Sequence, residues 1–229
     1  MGDNLTYCGD KYKYEEKFED ATEAYGNILS LVTNDPITEE FAYKNISEIY
    51  QQQGRYSEAI ELLQKSLKIN EELDRPREVA SNYNSIAQTY RQLGRIDEAT
   101  ELLKKSLKIN TEFGWQEGVA SNHYSLGEIS LRRGALDQAA VFFSQAFHVY
   151  EQLSYMHEQA NCISSLANIA QQRINFGQAE EFYRQAHEIY QQLGDDRAQA
   201  LSYGNLGEVA KQQGDLDQAE EFYRQAHEI

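Results

Sequence analysis

Five histidines, two cysteines and a recurring set of glutamate pairs are the residues with which this chain could do chemistry. His123, His148, His157, His187 and His227 would hold a zinc ion on a helix as a His-Glu-x-x-His pair, two imidazoles one turn apart with a carboxylate base beside the first. None of the five has that spacing. His187 and His227 stand at equivalent places forty residues apart, where Leu67, Leu107 and Phe147 stand earlier in the chain, and this marks a packing position. Cys8 and Cys162 lie far apart and outline no disulfide framework. Cys162, near the small, polar start of a helix, reads as a small buried residue rather than a nucleophile. The glutamates of "EAIELL" and "QAEEFY" recur periodically, so they read as solvated faces rather than as an acid–base pair. No glycine loop able to cradle a phosphate occurs. These residues point to no enzyme, no metal and no cofactor.

The elements that carry them belong to an acidic chain. Among 229 residues, 37 acidic side chains face 21 basic ones, a formal charge of −16. Gripping phosphates requires clustered Lys and Arg that displace counterions, so neither nucleic acid nor an anionic membrane surface is an expected partner. No run of eighteen apolar residues is present to span a bilayer. The first thirty residues lack a basic start followed by an apolar block, and a reducing cytoplasm is the simplest compartment.

Sliding the chain along itself by forty residues brings it into register. "GRYSEAIELLQKSLKIN" from Gly54, "GRIDEATELLKKSLKIN" from Gly94 and "GALDQAAVFFSQAFHVY" from Gly134 are followed by copies from Ile174 and Gly214. Residues 178–189 and 218–229 are identical. Such a period marks a stacked array. Each unit reads as two helices: Ala80, Tyr83, Ile86, Ala87 and Tyr90 hold helical spacing, Gly94 breaks it, and Ala99, Leu102, Leu103 and Leu107 resume it. Asp74 and Pro76 mark the entry to a first helix. Ser57, Asp97, Asp137 and Asp217 are the expected caps of second helices, with Gly177 in that place in the fourth unit and Asn175 as the expected left-handed residue of its turn.

The pattern resembles the tetratricopeptide repeat family, in its forty-residue form. The features that carry the resemblance are the apolar-small pairs Ile86–Ala87, Leu126–Gly127, Leu166–Ala167 and Leu206–Gly207. Two rows of small residues on second helices add to it: Ala59, Ala99, Ala139, Ala179 and Ala219, then Ser66, Ser106, Ala146, Ala186 and Ala226. The resemblance implies an all-α, right-handed superhelical solenoid of antiparallel helix pairs. Residues 36–229 would form five hairpins, the last cut short. Residues 1–35 would be an extension with one helix over 11–32 that covers the first hairpin; a degenerate sixth unit is the alternative.

The resemblance further implies a concave face lined by first helices. Its residues here would be Phe41, Lys44 and Glu48, then Asn84, Gln88 and Arg91, then Tyr124, Glu128 and Leu131, then Asn161 and Asn168, then Glu208 and Lys211. Asn45 and Asn205 stand just before an apolar-small pair, where some relatives hold peptide backbone; Ser85, Ser125 and Ser165 interrupt that row. Glu48, Ser121 and Ser125 depart from the clamp that grips a C-terminal carboxylate. The expected function is a scaffold or adaptor holding a peptide or helix of another protein. The alternatives are the sensor or recruitment domain of a larger bacterial effector or regulator, and a self-assembling solenoid. Phe222, Tyr223 and Ala226 would leave an apolar stripe on the last helix, so end-to-end association through residues 217–229 is expected as well.

Overall fold

The computed structural model describes Phe18, Tyr25 and residues 35–229. The helix expected over 11–32, and the choice between a cap and a sixth unit, lie outside the described residues apart from Phe18 and Tyr25, which are both helical. From Asp35 onward the described chain is helix and short turns: α1 (Pro36–Gln52), α2 (Tyr56–Glu72), α3 (Pro76–Gln92), α4 (Ile96–Glu112), α5 (Gln116–Arg132), α6 (Leu136–Gln152), α7 (Met156–Gln172), α8 (Phe176–Leu193), α9 (Asp196–Gln213) and α10 (Leu216–Glu228). The chain divides into two compact units, one up to Ile109 and one from Asn110. In unit 1, α1 packs on α2 and α2 on α3; in unit 2 every helix from α5 to α10 packs on the next.

One turn design is used throughout. A residue with positive φ recurs every twenty positions: Gly54, Asp74, Gly94, Gly114, Gly134, Ser154, Ile174, Gly194 and Gly214. At Gly94 the amide donates to Arg91 O at 3.1 Å and the next amide, of Arg95, donates to Tyr90 O at 2.9 Å. That pair of bonds is the Schellman closure of a helix end. The residue after the left-handed one is already the N-cap of the following helix, so three residues separate successive helices, and two after α8 and α9. In the fourth unit the left-handed residue is Ile174, at φ 61°, and Asn175 sits at φ −93° as the N-cap. The expectation of a left-handed Asn175 is therefore corrected by one position: the twenty-residue spacing of the stack dictates the place, and an unfavourable side chain is tolerated there.

The expected caps are corrected too. Ser57, Asp97, Asp137, Gly177 and Asp217 all lie at the second position inside their helices. The carboxylates there favour the positive helix start without capping it. Side-chain caps come from Asp35, Asp195 and Asp215, which accept from the amides of Ile37, Ala198 and Gln218.

The core follows the two rows of small residues. Ala59, Ala99, Ala139, Ala179, Ser66, Ser106, Ala146 and Ala186 are buried. Small side chains let helix backbones approach and leave room for one large ring or branched residue per layer. Ile60, Leu63 and Ile86 fill unit 1. Tyr183, Leu206, Val209 and Phe222 fill the last layers of unit 2. Phe222 is only 6% exposed, because it packs among the residues of α9, so the apolar stripe expected on α10 is narrower than its sequence spacing suggests. Tyr223 and Leu216 remain exposed.

Candidate functional site

In unit 1 the expected residues lie on one side of α1 and α3. Phe41, Lys44 and Glu48 are exposed, while Asn45, Asn84, Gln88 and Arg91 are half-buried. Asn45 is held at both ends: its Nδ2 donates to Phe41 O at 2.7 Å and its Oδ1 accepts from Tyr25 Oη at 3.3 Å. The Tyr25 ring meets Phe41 edge-on at 6.0 Å. Arg91 Nη2 donates to Gln88 Oε1 at 2.9 Å, and Gln51 on α1 reaches Thr89 on α3 at 2.7 Å. This face is polar, exposed and internally paired.

Unit 2 turns the same helical positions into a true concavity of about 480 Å³. Of the residues marked by sequence, Tyr124, Leu131, Asn161, Asn168 and Asn205 line it. Glu128 and Glu208 are half-buried and Lys211 is exposed, and these three lie outside the lining. Glu208 instead accepts from Gln212, Tyr223 and Lys211 at 3.1 to 3.5 Å, and these bonds hold its carboxyl below the usual range.

The lining also contains residues that the family resemblance does not mark: Tyr183 and Tyr190, His157 and Arg197 at the starts of α7 and α9, and Asp195 in the turn before α9. Tyr183 and Tyr190 belong to α8, a second helix. Their rings pass between small residues of α7 and α9 and bring their hydroxyls to the groove. Tyr190 Oη donates to Asn161 Oδ1 at 2.7 Å, and Tyr183 Oη to Gln171 Oε1 at 3.3 Å. The available signal was the replacement of Asn70 and Asn110 by Tyr150 and Tyr190 at one repeat position.

Burial pushes the hydroxyls of Tyr124 and Tyr183 up to about 12 and raises that of Tyr190. The rings therefore stay neutral, able to donate and accept hydrogen bonds, throughout the range in which proteins work. Cys162 lies buried behind this wall, and burial pushes its thiol up to about 12, which deprives it of thiolate character. Asp195 is held below the usual carboxylate range by the Ala198 amide, with His157 adding to the effect. Leu201, 62% exposed, offers an aliphatic surface inside the same concavity. The arrangement suits shape and hydrogen-bond recognition of an uncharged, elongated ligand. Among the described residues, no group of three or more His, Cys, Asp or Glu is placed to hold a metal ion, and no helix is long and apolar enough to cross a membrane.

Unit 1 has a hollow of a different kind, about 550 Å³, between α2, α3 and α4. Leu67, Ile86, Tyr90 and Leu102 floor it, with Glu98 and Glu101 on its rim. Forty residues on, Leu107 keeps the place of Leu67 while Phe142 replaces Leu102, and Phe142 stacks on His123 there. The hollow is a packing difference between repeats, and its apolar floor lacks the converging polar groups of the unit 2 groove.

Comparison with known proteins agrees with this architecture. The tetratricopeptide repeat family model matches residues 38–112, 78–152 and 158–229. Among solved structures, BtubC (BKLC) from P. vanneervenii superposes with a TM-score of 0.79 at 23% identity, over 93% of this chain and 89% of that one. A Rap protein complexed with competence and sporulation factor gives 0.75 at 15% identity, over 89% of this chain and 57% of that one. A signal-transduction ATPase with a tetratricopeptide repeat sensor, from Pyrococcus horikoshii, gives 0.76 at 18%, over 88% of this chain and 30% of that one. The search of curated proteins returned no match.

Proposed function

Since the chain belongs to the tetratricopeptide repeat family, we propose that it is a protein–protein interaction module that holds a segment of a partner polypeptide in the groove of unit 2. The observation that carries this reading is the convergence of tyrosine hydroxyls, asparagine amides and the Leu201 side chain on one concavity. A peptide backbone offers alternating donors and acceptors to such a wall, and its side chains find an apolar spot beside Leu201 and Leu131. Recognition of this kind depends on groove shape rather than charge, so affinity changes little between low and moderate salt.

The test is capture of partners from source cells by the wild-type chain and by Leu201→Asp, an exposed substitution that places a charge in the groove and leaves the core untouched. Partners retained by the wild type and lost by the variant support the reading. Identical capture by both would refute it.

A second reading is favoured by the likeness to a tetratricopeptide repeat sensor that is itself part of a longer ATPase. In that case the same groove is the recognition part of a larger effector or regulator, and the bound segment is its signal.

A further inference from the structure

Four side chains along the wall of the unit 2 groove form one unbroken line of hydrogen bonds. Tyr190 Oη donates to Asn161 Oδ1 at 2.7 Å. Asn161 Nδ2 lies 3.2 Å from His157 Nδ1. His157 Nε2 lies 3.1 Å from Asp195 Oδ2, and Asp195 Oδ1 accepts from the Ala198 amide at 3.0 Å. The line runs from α8 through α7 to the N-cap of α9.

With His157 neutral, its polarity has one consistent solution. Asp195 is ionised and can only accept, so His157 presents Nε2–H to it. That tautomer leaves His157 Nδ1 bare, an acceptor, and the group facing it must be the NH₂ of Asn161. Asn161 Oδ1 then faces the hydroxyl proton of Tyr190, which agrees with the shortest bond of the set. An asparagine amide left to itself could turn either way; here both ends are specified. One hydrogen of Asn161 Nδ2 goes to His157 and the second is left for a ligand. Asn168 is turned in the same sense, because its Oδ1 accepts from Gln172 Nε2 at 2.7 Å.

We infer that His157 is a positioning residue for ligand recognition: with Asp195 it fixes the Asn161 amide so that this part of the groove donates, and takes a backbone carbonyl of an extended, uncharged partner segment. The inference rests on the groove being the partner site. Asp195 and Arg197 stand in the same wall and offset each other, so no net charge there calls for an ionised acceptor in place of a neutral carbonyl. The device is confined to this unit. The positions forty residues before His157, Asn161, Tyr190 and Asp195 carry Glu117, Ser121, Tyr150 and Tyr155, a set that cannot form the line.

The test uses the whole chain in two steps. In the free protein, nitrogen-15 shifts of His157 and the side-chain amide signals of Asn161 are recorded by NMR for wild type and His157→Ala. The Nε2–H tautomer in the wild type, with a displaced and broadened Asn161 amide in the variant, is expected. An Nδ1–H tautomer, or an Asn161 amide indifferent to His157, overturns the inference. In the second step a displayed library of randomised peptides is selected on the wild type and counter-selected on Leu201→Asp. Retained peptides are expected to bind His157→Ala roughly tenfold more weakly, the scale of one hydrogen bond, with helicity and thermal midpoint unchanged. Replacing the contacted peptide amide by an ester, a poorer acceptor, should weaken binding to the wild type and leave binding to His157→Ala unaltered. A residue that merely staples α7 to α9 would show no such dependence on the ester. Equal affinity for wild type and His157→Ala overturns the positioning role and leaves the groove reading intact. Failure to retain any groove-dependent peptide refutes the groove reading, and the inference with it.

Discussion

The side-chain amide of Asn70 donates to the carbonyl oxygen of Asn82 at 2.8 Å, in the closed interior between α2 and α3. Both residues are buried, and the bond is one strand of a larger net. Asn82 Nδ2 donates to Ser66 Oγ at 2.9 Å and Ser66 Oγ to Glu40 Oε1 at 2.8 Å. Arg75 donates to Asn70 Oδ1 at 3.0 Å and stands 3.7 Å from the Glu40 carboxylate. The Asn pair repeats forty residues later, where Asn110 Nδ2 donates to Asn122 Oδ1 at 2.8 Å. A net of this kind ties neighbouring helices at a fixed register, because each polar group would be orphaned by a slip.

Asn82→Leu keeps the volume and removes two of the bonds, leaving Asn70 and Ser66 incompletely paired in a closed space. The expected loss is about 1–3 kcal/mol, the cost of stranding buried polar groups. The double variant Asn70→Leu with Asn82→Leu should lose less than the sum of the two single losses, since each single change already breaks the shared bond. Urea unfolding of the three variants checks both statements.

His123 and His187 supply the pH dependence. Each has its Nδ1 shut away from water without a hydrogen-bond partner, and burial lowers the affinity of both rings for a proton. The folded pKa of each is then below its unfolded value of about 6.5. Between those two values the unfolded chain binds the proton and the folded chain does not, so stability is lost as pH falls through that window and is fully present above it. His187→Leu, which restores the residue type of positions 67 and 107, should flatten this loss. The measurement is the thermal midpoint of wild type and variant at about pH 7 and about pH 5. An equal drop in both would sink the assignment.

How much of this was legible beforehand follows from what repeats. The hairpins, the two rows of small residues and the burial of Ala59, Ala139 and Ala179 were written in the forty-residue period, because stacking forces the same solution on every unit. Tyr124, Leu131, Asn161, Asn168 and Asn205, which the family resemblance marks, line the concavity as well. What did not repeat was missed. Tyr183 and Tyr190 reach the groove from α8, and nothing in their spacing says that a ring will pass between α7 and α9. Asp195 lies in a two-residue turn whose second residue caps the next helix, whereas the residue types that favour capping at Ser57, Asp97, Asp137 and Asp217 stand two positions past the cap. Glu208 carries the correct helical position but turns to Tyr223 on α10, a contact that depends on one residue of the last helix.

The apolar-small pairs give a paired test of packing. A Cβ on Gly127 would stand 2.8 Å from the Phe143 ring, and that ring is wholly buried with no direction in which to yield. Gly127→Ala should therefore cost about 1–3 kcal/mol by overpacking. Gly204, also inside a helix, has nothing within 4 Å of the same added atom. Gly204→Ala gains helix propensity alone and should stabilise by roughly 0.5–1 kcal/mol. Chemical denaturation of the two variants should give opposite signs. A stabilised Gly127→Ala would mean that α5 and α6 have more room than the Phe143 contact indicates.

The turn at Ile174 is the place where the array should open first. Left-handed backbone costs an L-residue with a branched Cβ roughly 1–2 kcal/mol, and Ile174, at φ 61° and 75% exposed, regains little of that by burial. The equivalent turn at Gly94, φ 75°, carries no such cost. Its closing bonds are otherwise alike: Ile174 N to Gln171 O at 2.9 Å and Asn175 N to Ala170 O at 2.9 Å, against 3.1 and 2.9 Å at Gly94 and Arg95. With the hydrogen bonds matched, the difference in local opening rests on the backbone conformation. Amide exchange should be faster across residues 172–178 than across 92–98. Ile174→Gly should remove the difference and stabilise the protein by about 1 kcal/mol, because no buried surface is given up. Gly94→Ile should transfer the weakness to the turn between α3 and α4. Equal exchange at the two turns in the wild type, or an Ile174→Gly variant no more stable than the parent, would show that the strain is relieved by the surrounding stack rather than stored in the turn.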